Sequence, residues 1–319
     1  MLRFLVRRIF LGVVVMWVVS TAVFILYFVA PHDVARTLAG RQATAQTVSL
    51  IRARLGLDQP ILSQYFGYLG RLIHGNLGYS YVNSESVNEI IKTDIPVTAS
   101  VAIGAAVIWL VIGVSSGVLA ATRPRTILDR ATTGFALFFY SMPTFLLGLL
   151  FLLLLFYRLH LAGIDIFPGG GYIALSENPG QWFDHMILPW FTVALVSAST
   201  YSRLTRGSML EVLGEDYIRT ARSKGLRESR VVYRHGLRAA LTPVVTQFGI
   251  DLGTLLGGII VTETVFGLPG LGQQIYNSIS QQDLPVIIGL VLLASAFIVV
   301  ANIIVDALYA VLDPRVRLT

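Results

Sequence analysis

Long runs of apolar residues without a charge decide what this chain can fold into. The first of them covers residues 9–30 and is 22 residues long. The hydrocarbon core of a bilayer is about 30 Å thick and is crossed by about 20 helical residues. Because 55% of the 319 residues are hydrophobic and only 13% are charged, a water-soluble domain could not bury the apolar surface. We therefore predict an all-α membrane protein.

The sequence predicts six transmembrane helices. They cover residues 9–30, 97–121, 131–156, 188–201, 239–261 and 285–312. The first run is longer than the roughly 7–15 apolar residues of a signal peptide, which favours a span that is retained. Pro143 interrupts the third run and predicts a kink there. The fourth run is short, but its helix can continue if the side chains of Arg203 and Arg206 reach the interface.

The polar segments between these runs divide the chain into three parts. The parts are a first span at 1–30, a folded cap at 31–95, and a core of five spans at 96–319 with a polar loop at 203–238. Within the cap, apolar residues at a spacing of three to four predict short helices at 48–55 and 61–73. We expect this cap to be a small folded structure rather than a linker.

The positive charges lie unevenly on the two sides that six spans would create. Of the 24 Lys and Arg residues, 17 lie at the two termini and in alternate loops, and nine of these are in the 203–238 loop. The two shorter loops on the other side contain only Arg158. Loops rich in Lys and Arg stay in the cytoplasm, whereas long segments such as 31–95 translocate largely regardless of charge. We expect a multi-pass protein with both termini and the 203–238 loop in the cytoplasm and the cap outside.

The sequence contains no recognisable motif for catalysis or for a cofactor. It has no cysteine, no Gly-x-x-x-x-Gly-Lys-Ser/Thr phosphate loop and no His-Glu-x-x-His pair, and its five histidines are scattered. The net charge of +6 follows from the loops of a membrane protein rather than from a nucleic-acid surface. We therefore expect a chain that is not an enzyme and that binds no cofactor, no metal and no nucleic acid.

The 203–238 loop is predicted to contain a short helix of its own. Glu215 and Asp216 suit the positive end of a helix dipole, and Arg222 and Lys224 suit its negative end. No helix breaker stands between them, and Gly225 can end the helix. From these residues alone, two interpretations remain open: a docking element, or a basic cytoplasmic loop that is merely helical.

Residues 216–226 read Asp-Tyr-Ile-Arg-Thr-Ala-Arg-Ser-Lys-Gly-Leu. This resembles the cytoplasmic signature of ATP-binding-cassette importer permeases, in the form typical of the dipeptide/oligopeptide branch. The general signature is Glu-Ala-Ala, three residues, Gly, nine residues and Ile-x-Leu-Pro, and the chain departs from it at Arg219, His235 and Arg238. Further segments resemble the same branch, in the same order. They are residues 30–33, 55–60, 75–80, 263–272 and 283–285.

The resemblance implies the B-type permease subunit of a binding-protein-dependent importer of short peptides in the bacterial cytoplasmic (inner) membrane. Its partners would be a second permease subunit in a heterodimer, two ATPase subunits that bind the ATP and Mg, and an external solute-binding lipoprotein. The short cytoplasmic helix would be the coupling helix, which docks in a groove of an ATPase subunit. The residues assigned to it are Glu215, Asp216, Tyr217, Arg219, Thr220, Ala221, Arg222, Ser223, Lys224, Gly225 and Leu226.

Polar residues in or beside the spans are candidates for the translocation path. Intramembrane acids are costly and usually face protein or water. Gln247 and Asp251 lie one turn apart in the fifth span, and Tyr140 and Pro143 lie at the interruption of the third. Glu263 follows the fifth span and is the last candidate. The alternative is that Asp251 only makes hydrogen bonds between helices.

Other functions remain open at this point. The same machinery could carry nickel, an oligosaccharide or another small solute, because selectivity in such systems resides largely in the binding protein. An ion-coupled secondary carrier would use Asp251 as its ion site and need no ATPase, but it leaves the 215–226 helix unexplained. A membrane-embedded enzyme would need a convergent catalytic set, which the sequence does not offer.

Overall fold

The computed structural model describes residues 2–26, 35–36, 44–54, 58–80 and 82–312. In chain order the helices are α1 (Leu2–Phe24), α2 (Ala45–Arg54), α3 (Ile61–Ile73), α4 (Val87–Thr122), α5 (Ile127–Tyr140), α6 (Thr144–Phe151), α7 (Arg158–Leu161), α8 (Pro179–Leu213), α9 (Asp216–Ser223), α10 (Glu228–Arg230), α11 (Leu237–Phe266), α12 (Leu271–Gln281) and α13 (Leu284–Leu312). Leu152–Tyr157 and Val231–Gly236 are π-helical, and strands β1 (Tyr79–Ser80) and β2 (Glu85–Ser86) form an antiparallel hairpin. The helical class predicted from the sequence is thus confirmed.

The chain folds as two compact units. The first contains Met1–Ile95 and Gln274–Ile304, and the second contains Pro96–Gln273 and Val305–Thr319. The helices predicted at 48–55 and 61–73 are present as α2 and α3, in the first unit. The division into a first span, a cap and a core remains a prediction.

The core of the first unit is formed by α1, α3 and α13. The ring of Phe24, at the end of α1, lies 5.1 Å from the ring of Tyr65 and 5.6 Å from that of Tyr68, measured between centroids. Ile288 and Leu292 of α13 complete this apolar cluster. One apolar face of α3, which the three-to-four spacing indicated, is therefore packed against two long helices, with Tyr68 buried and Tyr65, Leu69 and Leu72 partly buried.

In the second unit the backbones of α4 and α8 approach each other closely. A Cβ atom on Gly113 would lie 2.5 Å from the Cβ of Tyr201, and one on Gly117 would lie 2.6 Å from the backbone oxygen of Ser202. Between the two glycines, the Ser116 hydroxyl donates a hydrogen bond of 2.8 Å to the Ser202 hydroxyl. Small residues four apart allow helix backbones to meet, and in lipid such packing replaces the hydrophobic effect as the source of association.

Four helical stretches in the described part of the chain are long and apolar enough to cross a membrane. They are Val6–Phe24, Val87–Thr122, Thr144–Leu161 and Leu284–Ile304. They correspond to the first, second, third and sixth predicted spans. The fourth and fifth predicted spans lie within α8 and α11, which have 35 and 30 residues and are about 50 and 45 Å long at 1.5 Å per residue. The total of six spans remains a prediction.

Pro143 separates two helices instead of only kinking one. Helix α5 ends at Tyr140, and Pro143 adopts an extended backbone (φ −60°, ψ 136°) before α6 begins. Proline lacks a backbone N–H and disfavours helical geometry in the preceding residue, so the chain leaves the helix at Ser141 and Met142. The third predicted span is therefore made of two helices.

The approach of α4 to α8 predicts different effects for two glycine substitutions. Gly117→Ala places a methyl group against the backbone of α8, and we expect it to lower the free energy of unfolding by about 1–3 kcal/mol. Gly134→Ala is the matched control, because Gly134 lies in α5 with no atom within 4 Å of its Cβ position. It should be neutral or slightly stabilising, since Ala favours helices. Melting temperatures of the purified variants in detergent test this, and equal values would contradict it.

Candidate functional site

The helix expected between residues 215 and 226 is present as α9, and its inner face is apolar. Ile218 is fully buried and Ala221 is 8% exposed. Both pack with Val231 in an apolar cluster that Leu213 and Leu226 border. A spacing of three puts the first two side chains on one face of the helix. Ala221 thus faces the interior of its own loop, where its small side chain suits the close contact.

Gly225 ends α9 as the sequence indicated. Its φ is +75°, in the left-handed region that favours glycine. Its N–H donates to the carbonyl of Arg222 at 2.9 Å, and the N–H of Leu226 donates to the carbonyl of Ala221 at 3.4 Å. This pair of bonds is the Schellman motif. It turns the chain so that Leu226 returns to the apolar cluster.

The outer face of α9 is polar and exposed. Tyr217 is 47% exposed, and Arg219 forms an ion pair of 3.3 Å with Asp216. Arg222 holds Glu228 of α10 through two nitrogens, at 3.1 and 2.7 Å, and this contact lowers the pKa of Glu228. The other assigned residues at this surface are Glu215, Thr220, Ser223 and Lys224. An exposed aromatic ring among charges of both signs is a surface suited to another polypeptide.

Apolar contacts continue from α9 to three long helices. A neighbouring cluster joins Val118 of α4, Met209 of α8 and Ala240 of α11, together with Val232 of the π-helical turn. Leu213 borders both this cluster and the one that holds Ile218. Helix α9 is therefore packed on a contiguous apolar network that reaches α4, α8 and α11. Such a network can carry a displacement of α9 to those helices.

An ion pair fixes the end of α8 to the beginning of α5. Two nitrogens of Arg206 donate to the carboxylate of Asp129 at 2.6 and 3.0 Å, and the N–H of Arg125 donates to it at 2.8 Å. The Arg206 contact and then the backbone bond hold the pKa of Asp129 at about 2, below its ordinary 3.8. The lowered pKa means that this contribution to stability is complete above pH 3.8 and is lost as the pH falls toward 2.

Three of the five candidate path residues meet at one cavity in the second unit. Its volume is about 290 Å³. The residues that line it are Trp109, Tyr140, Thr144, Val193, Val196, Ser197, Thr200, Gln247, Asp251 and Leu255. They come from α4, α5, α6, α8 and α11. Pro143 directly precedes the lining residue Thr144.

Asp251 lies at the wall of this cavity between two helices. The hydroxyl of Tyr201 on α8 donates to its carboxylate at 2.7 Å, and the amide of Gln247 on its own helix donates at 2.9 Å. The carboxylate thus makes an interhelical hydrogen bond and also borders the cavity. The interhelical hydrogen bond expected for Asp251 is present, and its role in a path remains a prediction.

Glu263 lies apart from that cavity and is fully buried. Its carboxylate accepts hydrogen bonds from the Thr98 hydroxyl at 2.6 Å and from the N–H groups of Gly272 and Gln273 at 2.7 and 3.1 Å. The last two belong to the first turn of α12, where the helix dipole favours an anion. Gly270 lies so close that a Cβ there would be 2.3 Å from a carboxylate oxygen. The structure therefore shows Glu263 anchoring the start of α12.

Several residues at these sites were not predicted from the sequence. The only sequence signal for Tyr201 and Trp109, which lie beside Asp251, is that each is an aromatic residue with a polar group inside a predicted span. Asp129 was signalled by Thr126, three residues earlier, whose hydroxyl accepts a hydrogen bond from the Asp129 N–H and caps α5. The helix continues past Arg206 to Leu213, as expected, and the pairing of Arg206 with Asp129 was not predicted. Among the described residues, no three acidic or histidine side chains come together as a metal site.

Two family models match the chain. The one described as binding-protein-dependent transport system inner membrane component matches residues 113–318. The one described as the N-terminal part of a binding-protein-dependent transport system membrane component matches residues 1–102. Together they cover nearly the whole sequence.

Curated relatives are similar along their full length. The di/tripeptide transport system permease protein DppB of Pseudomonas aeruginosa is 37% identical, with 99% of each chain covered. The dipeptide transport system permease protein DppB of Escherichia coli K12 is also 37% identical, with the same coverage. The probable peptide ABC transporter permease protein y4tP of Sinorhizobium fredii is 35% identical over 98% of this chain and 99% of the relative.

One solved structure, of the MetNI methionine ABC transporter in inward-facing conformations, has a similar fold. Its TM-score is 0.53, over 70% of this chain and 96% of that chain. The sequence identity of 22% limits this likeness to the fold.

The burial of the inner face of α9 predicts that substitutions of two neighbouring residues differ in how much they destabilise the packing of the helix. Ile218→Ala removes a fully buried side chain and should destabilise the packing of α9 by about 2–5 kcal/mol. Tyr217→Ala removes an exposed one and should leave that packing within about 0.5 kcal/mol. Hydrogen–deuterium exchange of peptides covering 212–232 measures the difference. Equal protection in the two variants would show that α9 is not held by this contact.

Proposed function

This chain belongs to the family of binding-protein-dependent transport system inner membrane components, and we propose that it imports short peptides as the transmembrane permease subunit of an ATP-binding-cassette transporter. The relatives named for dipeptide, di/tripeptide and peptide transport support this substrate, because they are 35–37% identical over the full length. The observation that carries the proposal is α9. It exposes a polar face, while its apolar face is packed toward helices that line a cavity with Gln247 and Asp251 in its wall.

In this proposal the chain supplies one half of a membrane pathway and no ATPase activity. It works with a second permease subunit, two ATPase subunits that bind ATP and Mg, and an external solute-binding lipoprotein. Both termini and the 203–238 loop face the cytoplasm, and α8 and α11 are the fourth and fifth of six spans. The nine basic residues of the 203–238 loop support this orientation.

Helix α9 is proposed to dock in a groove of an ATPase subunit through its exposed residues, Tyr217, Arg219, Thr220 and Lys224 among them. The Schellman turn at Gly225 and the ion pair between Arg222 and Glu228 hold the helix as one rigid piece. When the ATPase subunits close on ATP, they displace this piece. The displacement has an effect only if the ATP-bound state favours one packing of the spans over the other.

The cavity beside Asp251 is proposed to be part of the translocation path. Helices α8 and α11, which flank the loop that contains α9, both contribute to its wall. A displacement of α9 therefore reaches the cavity through the chain itself as well as through the apolar network. The polar side chains at the wall, Gln247, Asp251, Ser197 and Thr200, give a peptide backbone hydrogen-bonding partners that a purely apolar channel lacks.

The coupling role predicts that Gly225→Val impairs transport. Valine at a φ of +75° is strained by at least about 1–2 kcal/mol, and nothing lies within 4 Å of the Cβ position, so the effect is on the backbone turn alone. We expect ATP-driven peptide uptake to fall about fivefold or more at an unchanged membrane level. Gly207→Val is the matched control, since Gly207 also has open space around it but ordinary helical geometry. Uptake that is equally normal in both variants would exclude the coupling role.

Neutralising Asp251 separates an ATP-driven importer from an ion-coupled carrier. Asp251→Asn retains a side chain that can accept from Tyr201, so the importer should keep ATP-driven uptake and respond only through a changed KM. A secondary carrier would instead lose transport entirely. Uptake is measured in proteoliposomes containing all subunits, with ATP alone or with a proton or Na⁺ gradient alone. Uptake driven by a gradient without ATP would contradict the proposal.

A further inference from the structure

A buried carboxylate in the first unit has no basic partner among the residues that the structure describes. Asp283 lies between the end of α12 and the start of α13 and is 1% exposed. One carboxylate oxygen accepts a hydrogen bond from the hydroxyl of the fully buried Ser80 on β1. The other oxygen has no hydrogen-bond partner in the described part of the chain. None of the ion pairs among the described residues includes Asp283.

A second polar atom at the same end of α12 is also unsatisfied. The hydroxyl of Ser278 has no hydrogen-bond partner among the described residues, and the residue is 2% exposed. The N–H of Asp283 donates to the carbonyl of Ser278 at 2.8 Å, which closes the last turn of α12. Gln282 between them has a φ of +57°, the left-handed conformation that ends a helix in this way. The turn therefore gathers both side chains at one helix terminus.

Burial of an isolated negative charge at Asp283 is costly. The two helix ends beside it have opposite effects, because α12 ends there and α13 begins there, with the N–H of Ile287 donating to the Asp283 carbonyl at 3.1 Å. At Glu263 the burial of the carboxylate is compensated, because it accepts two N–H bonds at the other end of α12. A positive charge beside the oxygen of Asp283 that has no partner among the described residues would offset the burial cost. Carbonyl ends of helices together with acidic and hydroxyl oxygens are a setting in which Na⁺ binds in membrane proteins.

We propose that the free carboxylate oxygen of Asp283 and the hydroxyl oxygen of Ser278 bind a small hard cation, with Ser80 orienting the carboxylate. Ligands that are all oxygen select hard cations over transition metals. A single carboxylate balances a single positive charge, so the ion is monovalent, and we assign Na⁺ because it is smaller and harder than K⁺. Through Ser80 and Asp283 the ion ties the β1–β2 hairpin to the first turn of α13. Gly78 and Pro285 already meet there, at 3.6 Å between the Cβ position of the first and the Cβ of the second.

The test uses the full-length chain in lipid nanodiscs at constant ionic strength. Melting temperature is measured in NaCl, in KCl and in choline chloride, and ²²Na⁺ binding is measured by equilibrium dialysis. We expect Na⁺ to raise the melting temperature by about 2–4 °C over choline and to bind at one ion per chain. Ser278→Ala should weaken ²²Na⁺ binding about tenfold or more, and Asp283→Asn should abolish it. Glu85→Gln, which changes an exposed carboxylate on β2, should bind Na⁺ as the unmodified chain does.

The Na⁺-binding and melting measurements test the cation site without measuring peptide transport. No bound ²²Na⁺ in the unmodified chain would overturn the proposal, as would a melting temperature that is the same in all three salts. Stabilisation by CaCl₂ but not by NaCl would overturn the assignment of a monovalent ion. If Asp283→Asn does not fold, Ser278→Ala still decides, because unchanged ²²Na⁺ affinity in that variant would remove Ser278 from the site.

Discussion

The contact of Ile218 and Ala221 with Val231 holds α9 against the rest of the 203–238 loop. A helix of eight residues is not stable in water by itself, because its nucleation cost exceeds what its few hydrogen bonds return. Burial of a side chain such as Ile218 contributes about 1.5–3 kcal/mol, which is enough to hold the two turns of α9 against the loop. Its charged face is then free to meet another protein, and its apolar face connects it to the membrane helices.

Polar contacts and close backbone packing join α8 to its neighbours in the second unit. In lipid, contacts between apolar side chains contribute little to the association of helices, so close backbone packing and hydrogen bonds determine which helices pack together. Helix α8 approaches α4 at Gly117, is joined to α5 by Arg206 and Asp129, and meets α11 through Tyr201 and Asp251. Because α8 ends directly before α9, a movement of α9 in the proposed function would act on a helix with defined contacts on three sides.

The sequence predicted the helical class, four of the apolar spans, α2, α3 and α9, since each has a local signal in its hydrophobic spacing, its charges or its terminal glycine. It missed contacts that join distant parts of the chain. The pair of Asp129 and Arg206 spans 77 residues, and the bond from Thr98 to Glu263 spans 165. Such pairs depend on how helices pack and have no periodic signature. The separation of α5 from α6 was expected only as a kink, because the sequence shows where a proline lies but not how far the chain departs from the helix.

In the proposed function, a nucleotide-driven movement of α9 changes the cavity beside Asp251. The chain has no cysteine, so in a Ser197→Cys variant the new thiol on the cavity wall can be labelled alone in this subunit. Its maleimide labelling rate is measured in the complete transporter, with cysteine-free partner subunits, in the presence and absence of ATP. We expect the rate to change with ATP, and we expect this change to disappear when the turn at Gly225 is disrupted. A labelling rate at Ser197 that is independent of ATP would contradict it.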